Sequence, residues 1–324
     1  MKQTKHFRRI GALVCALFTV YILLDTFVIE RSYAAAGQEN LSLFASEADE
    51  EQMAGETVLT ELSGSAGQEE REEAQCAIAL PADAQLVGSA EGSGYALSLY
   101  TFRVNATQVY AADVELASAQ VLKTALAGDL YGRNITAKTS EIAAGNGAVL
   151  AINGDFYGAR ESGIVIRNGV LYRDSAAKDT EVLVIYADGS FEIVSGDGLR
   201  AEALLDAGAW QAFSFGPGLV ENGVLSVSAN DEVGRSMSSN PRTAIGTLGE
   251  GHYVFLVSDG RTGASEGLSL YELAQLMAAL GCTQAYNLDG GGSSTMVFQG
   301  ELVNNPTTNG KRISERSVSD IVYI

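Results

Sequence analysis

At 324 residues, 46% hydrophobic and 19% charged, with 36 glycines against 4 prolines, the chain has the composition of a turn-rich folded protein, which excludes the disordered and collagen-like classes. A formal net charge of −19 argues against a nucleic-acid groove, which needs a basic face. That charge is uneven, since residues 1–36 sum to +3 and residues 37–76 to −10, and it divides the chain into three.

In the first segment Lys2, Lys5, Arg8 and Arg9 precede IGALVCALFTVYILLDTFVI (10–29). Basic residues before an apolar run predict a transmembrane anchor over 1–36 with the remaining bulk outside the cytoplasm. Cleavage after the A-x-A at Ala34–Ala36 would instead make the run a signal peptide and the protein secreted. Both alternatives put the domain outside the cytoplasm. Residues 37–76 are acid-rich, spaced by Gly and Ser, and aromatic only at Phe44. They predict a disordered linker holding the domain off the membrane. Of the three cysteines, Cys15 lies in the apolar run, and Cys76 and Cys282 could pair outside the cell, although two cysteines give no framework. Following a helix as it does, Cys282 reads as a small buried apolar residue.

The domain spans 77–324. GYALSLYTFRVNATQVYAADVEL (94–116) predicts two or three strands. GAVLAIN (147–153) is a continuous apolar run of the buried central-strand type. Hairpins are expected around Asn168-Gly169 and Asp188-Gly189, and a weak helix over 199–209. HYVFLVSDGR (252–261) is a second buried strand ending at an acid. SLYELAQLMAALGC (269–282) predicts the clearest helix: Ser269 and Glu272 make a capping box, and Leu273, Leu276, Met277 and Leu280 an apolar stripe, with Gly281 as the stop. These elements predict one α+β domain with a mixed, largely antiparallel sheet and a few helices.

Four stretches share one design, an apolar strand followed at once by polar or glycine residues: AINGDFYG (151–158), SSNPRTAIG (238–246), VSDGRTG (257–263) and NLDGGGSSTM (287–296). Such strand ends are where rigid scaffolds present functional groups. The three glycines of the last stretch let backbone N–H groups approach an anion, with Ser293 and Ser294 as hydroxyl donors; no Lys follows, so this is not a nucleotide P-loop. Beyond residue 36 the only histidine is His252, which excludes a His-based metal cluster and makes any Ser-His-Asp triad depend on that residue. What remains is carboxylates (Asp155, Asp259, Asp289), guanidiniums (Arg242, Arg261, Arg316) and glycine backbone. Carboxylates suit glycosyl chemistry, and arginines suit a phosphate.

Together NGDFYG, NPRTAIG, DGR, the helix leading into NLDGGGSST, and the terminal ERSVSDIVYI (315–324) resemble the phosphodiester glycosidase family over residues 95–324. The resemblance implies hydrolysis between a sugar anomeric carbon and a phosphodiester oxygen. The expected substrate is a glycosyl phosphate or polysaccharide of a bacterial envelope, teichoic-acid-like in type. Asp155, Asp289 and Arg242 are the expected catalytic residues, with either acid acting at the anomeric carbon. Gly290, Gly291, Gly292, Ser293 and Ser294 join Arg242 at the phosphate, and Asn153, Thr243, Asp259 and Arg261 are further substrate-binding candidates, Asn153 and Asp259 holding sugar hydroxyls or orienting loops. No cofactor is required, and a calcium ion held by Asp155, Asp289 and backbone carbonyls stays open, because oxygen ligands need no motif. Membrane contact is expected through the N-terminal segment, and oligomeric state is not readable. A non-catalytic glycan-binding module of the same fold is the alternative.

Overall fold

Side chains of successive strand residues point to opposite faces, and the strand Thr107–Leu116 uses both. Tyr110, Ala112, Val114 and Leu116 enter one core cluster, and Val109 and Ala111 another. The strand His252–Ser258 divides likewise, Tyr253, Phe255 and Val257 against Val254 and Leu256. A sheet apolar on both faces must be covered on both, which explains the continuous apolar runs. The computed structural model that carries these elements describes residues 15–21, 24, 29–33, 77–229 and 239–324.

This sheet has eight strands, ordered Val224–Leu225, Gly218–Glu221, Gln284–Asn287, Arg242–Gly249, His252–Ser258, Thr107–Leu116, Tyr95–Val104 and Gln85–Gly92. The helix Leu270–Ala279 covers one face with Leu270, Leu273, Leu276 and Met277, and the predicted Ser269–Glu272 capping box forms. A five-stranded sheet, Glu301–Leu302, Met296–Phe298, Leu150–Asn153, Asp320–Tyr323 and Lys123–Leu126, shares the core on the other face. A further five-stranded sheet contains both expected hairpins, Gly163–Arg167 with Val170–Ser175 and Glu181–Tyr186 with Phe191–Ser195. Asn168, Gly169 and Gly189 take the positive φ that these turns need. Among the described residues every strand pairing is antiparallel. The expectation of one mixed sheet is corrected to several antiparallel ones, built largely from hairpins and short returns.

The predicted anchor falls mostly outside the described residues, as do the linker 37–76 and Cys76. Among the described residues no helix is long and apolar enough to cross a membrane. Residues 29–33 are described and lie against the domain: Arg31–Ser32 pairs with Gly132–Arg133, and the Tyr33 N–H donates to the Tyr131 carbonyl at 2.7 Å. Cys282 is buried in the core beneath the helix, and burial pushes its thiol up to about 12.

Candidate active site

In antiparallel sheets the end of one strand lies beside the start of the next, so strand ends and starts collect at one edge. Arg242 pairs with Ser258, Ala244 with Asn287, and Ile321 with Asn153. This brings the four singled-out stretches together with the start of the last strand. Asn153, fully buried, braces the two sheets. Its Nδ2 donates to the Asp289 carbonyl at 2.6 Å, and its Oδ1 accepts from Thr243 Oγ1 at 2.8 Å and the Thr295 N–H at 3.2 Å. Both Asn153 and Thr243 are buried and bonded to each other, which matches the loop-orienting alternative for Asn153 and gives Thr243 the same bracing contact.

The Asp155 end of this edge is closed. Asp155 is 3% exposed. Its Oδ1 accepts from the Tyr157 N–H and faces Arg167 Nη2, each at 3.0 Å, while its Oδ2 accepts from the Ser214 N–H at 3.1 Å. The same guanidinium donates through Nε to Asp320 Oδ2 at 2.8 Å, and Phe213 covers it 4.2 Å from the ring centre. Two carboxylates thus share one buried arginine. Burial, opposed by Arg167 and reinforced by Asp155 and Asp289, raises the Asp320 pKa to about 7. Gly154 is required here, because a Cβ would come within 2.3 Å of Asp320 Oδ1.

The Asp289 end is more open. Arg316 is 41% exposed at its side chain and donates to Asp289 Oδ2 at 3.0 Å and to Ser293 Oγ at 2.6 and 2.8 Å. Burial raises the Asp289 pKa, while Arg316, Ser293 and the Gly290 N–H pull it back. Arg242 is buried, its Nε donating to the Leu268 carbonyl at 2.8 Å. Burial, then the neighbouring Arg261, draws its pKa down to about 10. Arg261 is exposed, bonded to Asn240 and to the Thr308 carbonyl, and lowered by burial and by Arg316. Three guanidiniums therefore surround one glycine loop and one carboxylate.

The glycines first make room for the protein's own atoms. A Cβ on Gly290 would lie 3.0 Å from the Pro241 carbonyl, on Gly291 2.8 Å from Arg261 Nη2, and on Gly292 2.5 Å from Thr308 Oγ1. The Gly291 N–H donates to Pro241 O at 2.8 Å. The expectation that all three amides face a phosphate is corrected to that extent, because the Gly291 amide is satisfied internally. Ser294 is fully buried, and its hydroxyl has no hydrogen-bond partner. Asp259 accepts from the Asn305 N–H at 2.8 Å, from the side chains of Asn304 and Asn305, and from Tyr110; it ties down a loop. The carboxylates of Asp155 and Asp289 are each engaged by an arginine, so the calcium site expected from them would have to displace both. His252 pairs with Asp113 at the far end of its strand, about 20 Å from Ser258 at 3.3 Å per residue, which separates it from any triad here.

Sequence reasoning missed Asp320 and Arg167 and gave Arg316 no role. Arg167 sits inside an apolar strand next to a turn and carries no signal. Asp320 and Arg316 stand in the terminal motif, where the acid opens an apolar strand instead of following one, so the design of the other four stretches does not single it out.

The phosphodiester glycosidase family profile matches residues 146–324. Over 182 residues the chain is 31% identical to the SPbeta prophage-derived uncharacterized protein YomE of Bacillus subtilis, covering 55% of this chain and 28% of that protein. Over 66 residues it is 41% identical to the N-acetylglucosamine-1-phosphodiester alpha-N-acetylglucosaminidase of Mus musculus, covering 20% of this chain and 13% of that enzyme. The alignments thus span under a third of these relatives. The solved catalytic domain of the zebrafish enzyme, auto-inhibited by its pro-peptide, matches with a TM-score of 0.57 at 20% identity, covering 75% of this chain and 88% of that one; that likeness speaks for the fold.

Proposed function

The chain belongs to the phosphodiester glycosidase family, and on that premise we propose that it hydrolyses the glycosidic bond of a sugar 1-phosphodiester in an envelope glycan outside the cytoplasm. The observation that carries the proposal is the convergence of Arg242, Arg261 and Arg316 on the glycine loop around Asp289, in a protein of net charge −19. Guanidiniums favour phosphate through planar, charge-assisted contacts. They stabilise the departing phosphomonoester and take over much of the work of a general acid.

Asp289, rather than Asp155, acts at the anomeric carbon, as nucleophile or as base for the attacking water. In the second case water oxygen bonds to the carbon, its proton passes to Asp289, and the carbon–oxygen bond to phosphate breaks with its electron pair on the phosphate. Arg316 suits this role because its charge lowers the Asp289 pKa against the rise that burial causes. Asp155 and Asp320 support the loop from behind through Arg167. The reaction needs no cofactor, and the apolar run 10–29 behind its basic flank anchors the domain at the membrane.

The test compares native protein and Asp289→Asn on a sugar 1-phosphodiester. Turnover should fall about 100- to 10,000-fold, the range for a lost general base, with inhibitor affinity nearly unchanged. Near-native turnover in Asp289→Asn would remove the carboxylate mechanism. A native protein that binds glycans yet cleaves no glycosyl phosphodiester would make this a binding module.

A further inference from the structure

Away from the glycine loop lies a cavity of about 430 Å³ whose lining includes Arg31, Arg133, Arg160 and Arg173. Among the described residues that line it, the one carboxylate is Glu161, in a chain where acids outnumber bases 40 to 21. Among Arg133, Arg160 and Arg173, most hydrogen bonds go to uncharged groups. Arg173 donates to the carbonyls of Tyr157, Arg160 and Gly163, and Arg160 to that of Ser214, none of which carries charge. Arg133 reaches Glu161 through Nη1 at 2.7 Å, while its Nε is buried with no hydrogen-bond partner.

The remaining walls are aromatic. Tyr131 stacks on Tyr157 at 5.2 Å and leans on Tyr172 at 5.0 Å, and Tyr33 lies 6.1 Å from Tyr131. Tyrosine faces accept a sugar ring or an acyl stem while arginines hold an anion. The cavity is completed from the N-terminal side: Arg31 and Tyr33 belong to the short segment paired on Gly132–Arg133. Gly132 admits that segment, since a Cβ there would come 1.6 Å from the Arg31 carbonyl. The cavity also adjoins the candidate active site, because Tyr157 both lines it and donates its N–H to Asp155.

We propose that this tyrosine–arginine cavity is a second phosphate site, separate from the glycine loop. Its ligand is a phosphate monoester or diester attached to a ring or an apolar body. Two sources share that chemistry, the next phosphate of a repeating glycosyl-phosphate chain and the headgroup of an anionic lipid, and in the first source the inference rests on the proposed function. The docked segment directly follows the apolar run 10–29, so a domain anchored through that run would hold the cavity close to headgroups.

Calorimetric titration of the full chain with glycerol phosphate tests the site without any turnover. Two phosphates should bind the native chain. Arg242→Ala should remove the one at the glycine loop, and Arg133→Gln should weaken the other about 10-fold, the scale of one charge-assisted hydrogen bond. Gly132→Ala should weaken the second site as well, by displacing residues 29–33, with thermal melting of the domain unchanged. Glycerol without phosphate should not bind. Tighter binding of dihexanoyl phosphatidylglycerol than of glycerol phosphate would assign the headgroup source, and equal binding the glycan chain. If Arg133→Gln and Gly132→Ala both leave stoichiometry and affinity as in the native chain, the second site does not exist. An Arg242→Ala protein that keeps both phosphates would instead count against the proposed active site alone.

Discussion

Two acids at the same edge of the fold, each following a buried strand, have opposite surroundings. Asp155 is enclosed at 1% side-chain exposure, its oxygens divided between Arg167 and two backbone N–H groups. Asp289 meets a half-exposed arginine and keeps 11% of its side chain in contact with solvent. In the proposed mechanism the carboxylate after one strand end frames the site and the one after the other is its reactive group, and the two differ in the burial of their arginine partners. An arginine locked between two acids fixes geometry; one open to solvent tunes a charge that a substrate can reach.

The largest effect should come from removing the locked arginine. Arg167→Leu leaves Asp155 and Asp320 buried without a counter-charge, and breaking a buried pair in this way costs about 3–5 kcal/mol. Arg316→Ala should cost under about 1 kcal/mol, as an exposed pair does. Urea unfolding of both variants measures the contrast. Equal losses would mean that the two ends of the site are not physically distinct.

Much of this contrast lay beyond the sequence. Local patterns were legible: the Ser269–Glu272 capping box, the Asn168-Gly169 turn and the buried runs all formed where spacing placed them, because each depends on neighbours within a few residues. The convergence of 151–158, 238–246, 257–263 and 287–296 was legible as a shared design. Pairing was not. Asp155 meets Arg167 across a hairpin in another sheet, and Asp320 joins them from 153 residues beyond Arg167. Neither distance leaves a periodic trace. Asn153 and Thr243 look like ligand-binding residues in sequence for the same reason: an amide that braces two sheets has the residue type of one that binds sugar.

The second effect is a pH dependence of stability set by the locked end. The folded pKa of Asp320 is raised to about 7 by burial, above the value of about 3.9 for a free Asp. Between those values the native state holds a proton that the unfolded chain has released. Stability should therefore fall as pH rises from about 4 to about 7, by at most about 1.4 kcal/mol per pH unit, and level off above that window. Asp320→Asn keeps the neutral form and should flatten this slope. A variant that retains the native slope in urea unfolding at pH 4.5, 6 and 7.5 (pH values chosen across the window of roughly 4 to 7) would show that another group carries it.

The smallest effect belongs to the open end and concerns rate, not stability. Burial raises the Asp289 pKa, and Arg316 is the first of the groups that lower it again. Removing that charge in Arg316→Ala should raise the pKa further, moving the acid limb of the kcat/KM profile to higher pH. The side chain of Arg316 is 41% exposed, so solvent screens the pair and the displacement should be small. Arg316→Lys should restore most of the limb's position, because a point charge near Asp289 is enough to favour its ionised form. It should restore less of the phosphate affinity, because Lys cannot reproduce the planar contact of a guanidinium. This split separates the two tasks assigned to Arg316. If the acid limb stays fixed in Arg316→Ala while Asp289→Asn still abolishes turnover, Arg316 holds the phosphate but does not set the charge of Asp289. If the limb moves to lower pH, Asp289 is not the group that titrates in it.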